Sequence, residues 1–198
     1  SSYLVAGEKA CVVIDPSRDV DRYIEEARGM GVSITHIFET HLHADFISGH
    51  LDLARATGAE IVSPKAANCT YPHTPVADGD EAEIEHIRFR VIETAGHTPD
   101  HCCYVATDTS RGETPVALFS GDTLFVGDVG RPDLFPGRAE ELATRLFENL
   151  RNKILALPDE CEVYPAHGKG SLCGPAMTAK RSSTIGYERK YNYALQIH

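Results

Sequence analysis

Thr40-His41-Leu42-His43-Ala44-Asp45-Phe46 (THLHADF) decides how this chain is read. Two imidazoles and a carboxylate fall close together, and they can converge on a cation only if the backbone forms a tight loop. The flanks predict such a loop. Ser33 to Glu39 (SITHIFE) reads as a strand, and Phe46 to Thr57 (FISGHLDLARAT) reads as a helix. A loop just past a strand end is where α/β proteins place metal chemistry. The plainer alternative for any one of these histidines is a hydrogen-bonded loop residue.

Three further segments repeat the arrangement. Arg88 to Thr94 (RFRVIET) reads as a strand running into Gly96-His97-Thr98-Pro99. Val116 to Ser120 (VALFS) is an apolar strand ending at Gly121-Asp122-Thr123, and Glu162 to Pro165 (EVYP) ends at Ala166-His167-Gly168. Each offers one His or Asp past a strand end, close to a Gly that lets the chain turn sharply. One such ending is weak evidence. Four in order predict a shared site.

The order HxHxD, GHTP, SGDTLF, YPAHG resembles the metallo-β-lactamase superfamily, from about Ser2 to the C-terminus. The resemblance implies an α/β fold, an αββα sandwich with its metal site at one edge of the two sheets. It implies a first metal site at His41, His43 and His97 and a second at Asp45, Phe46 and His167, with Asp122 bridging. Phe46 stands where many members have His. A phenyl ring donates no electron pair, so a second cation keeps only Asp45, His167 and the shared Asp122.

Longer strings narrow the resemblance. THLHADFISGH, SGDTLFVGDVGRPDL, AHGKGSLCG and RSSTIGYERKYN are similar to the persulfide dioxygenases, particularly the bacterial members fused to rhodanese domains. That family implies one Fe(II) per chain at His41, His97 and Asp122, a 2-His-1-carboxylate triad of the kind non-haem Fe(II) oxygenases use. It implies oxidation of glutathione persulfide, or a similar low-molecular-weight thiol persulfide, by O2 to sulfite and thiol. His43, Asp45 and His167 then become catalytic candidates that orient ligands or water through hydrogen bonds. Phe46 is expected to add an apolar wall.

For substrate binding, Arg131 in Gly130-Arg131-Pro132-Asp133 resembles a glutathione contact of the family, and a guanidinium fork suits a carboxylate. Arg181, in Lys180-Arg181-Ser182-Ser183, is a candidate for a second carboxylate, and Tyr164 is a candidate for pointing into the site. Each has a structural alternative: a loop cap, a solvated turn and a packed strand tyrosine. A rhodanese-type sulfurtransferase is an implied partner, and self-association into a homo-oligomer is compatible with the sequence.

Composition sets the bounds. The 198 residues suit one domain with a sizeable core, and 42% hydrophobic with 24% charged residues is ordinary for a globular protein. A formal net charge of -10 argues against binding a phosphate backbone, so no nucleic-acid partner is expected. No apolar stretch approaches a membrane span and no signal peptide is evident, so no membrane partner and a cytoplasmic setting are expected. Cys11, Cys69, Cys102, Cys103, Cys161 and Cys173 lack zinc spacing and fit free thiols in a reducing compartment. Adjacent Cys102 and Cys103 should point to opposite faces of a strand. Cys173 is either a buried structural thiol or one that handles sulfur.

Strands are also expected at Ser2 to Ala6 and Ala10 to Ile14, with helices at Val20 to Met30 and Ala139 to Leu155. Against the family, the chain starts at what reads as its second strand and ends without a rhodanese domain. Two further functions remain open: a thioester hydrolase of the glyoxalase II type with a zinc or mixed-metal site, and a non-catalytic sulfur- or metal-binding module.

Overall fold

Alternation along β2 (Ala10–Ile14) shows how the layers are built: Val12 and Ile14 face one way, Cys11 and Val13 the other, and all four are buried. A strand covered on both faces reads as a continuous apolar run rather than a half-polar one. The computed structural model, which describes residues 1–174 and 176–196, places β2 inside a five-stranded sheet. The sheet runs β1 (Tyr3–Ala6), β2, β3 (Ser33–Phe38), β4 (Glu60–Pro64), β5 (Thr74–Val76), with β1 antiparallel and the rest parallel. The second sheet contains β6 (Glu81–Ile84), β7 (Ile87–Glu93), β8 (Cys102–Asp108), β9 (Ala117–Gly121), β10 (Glu162–Pro165) and β11 (Ser183–Thr184), neighbours in that order.

Val12, Ile14, Phe38 and Val62 of the first sheet meet Phe89, Val91, Tyr104 and Phe119 of the second. Phe38 lies with its ring 5.1 Å from Phe89 and 4.7 Å from Tyr104, so truncating it to Ala should cost about 3–5 kcal/mol. The outer face of the first sheet is covered by α1 (Asp21–Met30) through Tyr23 and Ala27, and by α2 (His50–Thr57) through Leu53. Leu146 of α3 (Ala139–Asn149), then Leu150 and Ile154 beyond it, cover the outer face of the second sheet. The result is the αββα sandwich. Cys102 faces the inter-sheet core and Cys103 the helical layer, as their adjacency on a strand predicts.

Two boundaries differ from expectation. The helix expected from Phe46 begins only at His50. Long-range bonds hold the intervening loop: Gly49 N–H donates to Pro16 O at 2.7 Å, and Ser48 bridges to Ser17. Gly49 passes so close to Ser17 that a Cβ there would lie 2.2 Å from its carbonyl oxygen. The long helix expected to run to Leu155 is α-helical to Asn149 and continues as a π-helical turn, Leu150–Ile154, which keeps both of its end residues buried.

The pairing registers gather the chemistry at one edge. β8 runs antiparallel to both β7 and β9, so its first residues lie beside the last residues of both. β10 is parallel to β9, with Pro165 opposite Gly121. The first sheet joins them where Cys102 N–H donates to Thr40 O at 2.8 Å. Among the described residues, no helix is long and apolar enough to cross a membrane.

Candidate metal centre

His41 follows β3, His97 follows β7 and Asp122 follows β9, and all three are buried with ligand atoms within 4.8 Å of one another. Each imidazole is aimed by its far nitrogen. Nδ1 of His41 donates to Thr40 Oγ1 at 2.9 Å, because that hydroxyl spends its own proton on Asp15 Oδ2 at 2.8 Å. Nδ1 of His97 donates to the Arg131 carbonyl at 3.0 Å. With Nδ1 protonated in both, Nε2 is left as a lone-pair donor. These nitrogens lie 3.9 Å (His41) and 3.2 Å (His97) from Oδ2 of Asp122, a buried oxygen with no hydrogen-bond partner. An orphaned anionic oxygen facing two imidazole nitrogens is costly without a cation. The donor set fits a metal.

The electrostatics match at His41 and Asp122, whereas the His97 pKa is raised: burial opposes this, but Cys173, Asp122 and the Arg131 carbonyl prevail. Burial, and then the neighbouring imidazoles of His43, His101, His97 and His167, hold the His41 pKa well below its ordinary value. Asp122 is held below the usual carboxylate range: burial opposes this, but the bond and charge of His167 prevail. His167, after β10, lies with Nδ1 2.7 Å from Asp122 Oδ1 and Nε2 2.7 Å from Asp45 Oδ2. Burial works against its charge, but the Asp122 and Cys173 bonds outweigh it and raise the pKa to about 10.

The other candidates separate. His43 is turned from the triad: its Nε2 lies 3.0 Å from Asp15 Oδ1 without hydrogen-bond alignment, and it groups with buried Asp15 and Glu39. Phe46 packs against His43 with the rings tilted by 39°, their centres 4.3 Å apart. The apolar wall expected of it is supplied instead by Leu42, Ala44, Leu134 and Leu172, which line a cavity of about 300 Å³ over His41 and His97. Arg131 and Asp45 line the same cavity, and Arg131 is held by Asp133 at 2.7 and 2.8 Å. Arg181 lines a different cavity, of about 510 Å³, with His167, Lys169 and Lys180. Tyr164 does not point into the site. It packs on Tyr3 and Phe119, with ring centres 5.4 and 5.5 Å away, and its hydroxyl donates to Glu162.

Two residues of the site escaped the sequence reading. Asp15 sits in the left-handed region (φ 50°) and accepts the Thr40 N–H at 2.8 Å, so it fixes the start of the THLHADF loop. His101 is buried beside the triad and stacks on His41, ring centres 4.7 Å apart. The only sequence signal for either was a polar residue at the end or start of an apolar strand. Cys173 lies within 4.8 Å of the ligand atoms of Asp45 and His167, and its thiol pKa is lowered: burial opposes this, but bonds from His167 and His97 prevail.

The comparisons with known proteins agree with this geometry. The family description "Metallo-beta-lactamase superfamily" matches residues 1–167. A hydroxyacylglutathione hydrolase from Rhodospirillum rubrum is 38% identical over 160 residues, 80% of this chain and 57% of the hydrolase, so the chain spans just over half that relative's length. A metallo-beta-lactamase structure from Staphylococcus aureus superposes with a TM-score of 0.91 at 38% identity, covering 100% of this chain and 60% of that one. The structure of ETHE1 from Myxococcus xanthus gives 0.82 at 30% identity, covering 98% and 78%. The family match, the αββα layers and the triad at one edge of the sheets make the chain a member of the metallo-β-lactamase superfamily.

Proposed function

We propose that the chain is a mononuclear Fe(II) persulfide dioxygenase, oxidising glutathione persulfide or a similar small thiol persulfide with O2 and water to sulfite and thiol. The observation that carries the reading is the donor set: two imidazoles and one carboxylate, with the remaining side facing an apolar-walled cavity. Bound there, Fe(II) would supply open coordination positions and a redox couple at which a soft sulfur donor and O2 can meet.

The chain's own residues then have definite tasks. Thr40 and the Arg131 carbonyl hold the two imidazoles in the ligating tautomer. Leu42, Ala44, Leu134 and Leu172 thin the water over the centre and suit sulfur better than a hydrated ion. Arg131 presents a guanidinium at the cavity for a substrate carboxylate, and Arg181 serves a more distant carboxylate from the neighbouring cavity. His167 holds protons at both ring nitrogens between Asp122 and Asp45, which places it to pass one beside the cavity. Asp45 fixes that ring, and His43 backs His41 at a ring distance of 4.1 Å.

The relatives in sequence favour a second reading over the first. The hydrolase names of the relatives, with Asp45, His167 and Cys173 gathered beside the triad, favour a thioester hydrolase acting on the same glutathione moiety. Both readings share a metal and a glutathione-linked sulfur substrate. A relative 27% identical was solved in a di-iron-bound form, which supports iron in this fold and, with two metals, counts toward the second reading. The deciding experiment measures metal content, then O2 uptake on glutathione persulfide and hydrolysis of a glutathione thioester on one preparation. One O2 consumed per sulfite formed, with negligible thioester hydrolysis, supports the dioxygenase. The reverse moves the assignment to the hydrolase.

A further inference from the structure

His101 touches two of the three triad residues without offering a nitrogen to the shared centre. Its ring lies nearly parallel to that of His41, with 25° between planes. Its Nε2 accepts the main-chain N–H of Asp122 at 2.9 Å. A backbone N–H only donates, so Nε2 must be the unprotonated nitrogen and the ring proton sits on Nδ1. That proton has two takers: Thr94 Oγ1 at 2.9 Å and Thr123 Oγ1 at 3.1 Å.

One direction of donation satisfies all the surrounding bonds. Thr123 Oγ1 also donates to Thr94 Oγ1, at 2.9 Å, so the Thr94 hydroxyl accepts twice and turns its own proton to Cys103 Sγ at 3.3 Å. The Cys103 thiol in turn donates to the Ser120 carbonyl at 3.5 Å. The chain of donors ends on the residue two before Asp122, so His101 and Asp122 are tied at both ends of one buried network. Burial keeps the imidazole neutral, with its pKa lowered to about 3.

Gly121 shows how close the brace sits. A Cβ at that position would lie 2.5 Å from His101 Nε2 and 2.8 Å from Thr40 Oγ1, and Gly121 adopts φ +51°. Only glycine accommodates both the backbone twist and the ring pressed against it.

We propose that His101 is a positioning residue of the metal centre, a neutral imidazole that anchors Asp122 by its main-chain N–H and His41 by stacking. The inference rests on the triad holding the metal, and it holds equally for oxidation or hydrolysis. Packing alone would not need this chemistry, since an apolar side chain could fill the same space without a directed acceptor.

The test uses Co(II) titration of the metal-free full chain, read by d–d absorption and by stoichiometry. Asp122→Ala serves as the control for the triad: if it binds Co(II) as tightly as wild type, the triad reading itself fails and His101 has no centre to position. Given that control, His101→Asn keeps a donor near Thr94 but loses the acceptor for Asp122. It should bind Co(II) about 10–100-fold more weakly with a shifted d–d spectrum. His101→Gln can return an acceptor oxygen to the Nε2 position and should recover most of the affinity. Equal affinity and spectra in folded His101→Asn and wild type would overturn the proposal, as would Gln and Asn variants that are folded and equally impaired. Should the variants not fold, nitrogen chemical shifts of the wild-type imidazole decide: a protonated Nε2 on His101 rules the brace out.

Discussion

Oδ1 of Asp122 lies 2.7 Å from Nδ1 of His167, while Oδ2 of the same carboxylate has no hydrogen-bond partner. One oxygen is fixed by a charged imidazole and the other is presented to His41 and His97. This division of one carboxylate explains why Asp122 can stay ionised in a buried position: His167 compensates its charge before any metal arrives.

Asp122→Asn therefore removes the negative charge the centre needs while keeping the shape. Metal affinity should fall by more than tenfold, measured by chelator competition on purified protein. Retention of wild-type affinity would show that the two imidazoles suffice, and the triad assignment would be lost.

Phe46 packs against His43 next to Asp45, so Phe46→His adds a lone-pair donor on the loop that already carries Asp45. Metal stoichiometry should rise above that of wild type, and turnover that depends on O2 should fall. Unchanged stoichiometry and rate would mean that the ring at this position only packs.

His167 gives the metal-free protein a pH signature. Its folded pKa, about 10, lies above the ordinary 6.5, so its contribution to stability is complete below about pH 6.5 and is lost as pH rises through about 10. Cys173, with a lowered thiol pKa, acts in the opposite sense over part of that range, so the comparison must be made against His167→Asn. The stability advantage of wild type over His167→Asn in urea should be largest below pH 6.5 and should shrink toward pH 10. A constant difference would show that the two carboxylates do not hold a charged imidazole.

Much of the layout was legible because the signals are local. The ends of β3, β7, β9 and β10 carry their own His, Asp and Gly, and the apolar run Ala10 to Ile14 announces a strand. What escaped depends on contacts between distant segments. The late start of α2 follows from bonds of Ser48 and Gly49 to residues some thirty positions earlier. The facing of Tyr164 depends on its pairing opposite Phe119 of β9, after which the register shifts. His101 is invisible until β8 lies beside β9, when the residue before one strand meets the main chain after the other.

Tyr164 and Arg131 make a matched pair for the last prediction. Tyr164→Phe keeps the ring contacts with Tyr3 and Phe119 and removes only a hydroxyl bonded to exposed Glu162, so both kcat and KM should stay close to wild type. Arg131→Ala removes a guanidinium that borders the cavity, while the main-chain carbonyl that holds His97 remains. A carboxylate contact remote from the reacting sulfur acts equally on ground state and transition state, so KM should rise about tenfold with kcat little changed. Asp133 already occupies that guanidinium through two bonds, and substrate must compete with it. Asp133→Asn should accordingly lower KM, in the direction opposite to Arg131→Ala. Steady-state kinetics on the three variants with glutathione persulfide would check this, and the same set with a glutathione thioester tests the hydrolase reading. A fall in kcat with unchanged KM for Arg131→Ala would place the guanidinium at the reacting atoms instead of at a distant carboxylate.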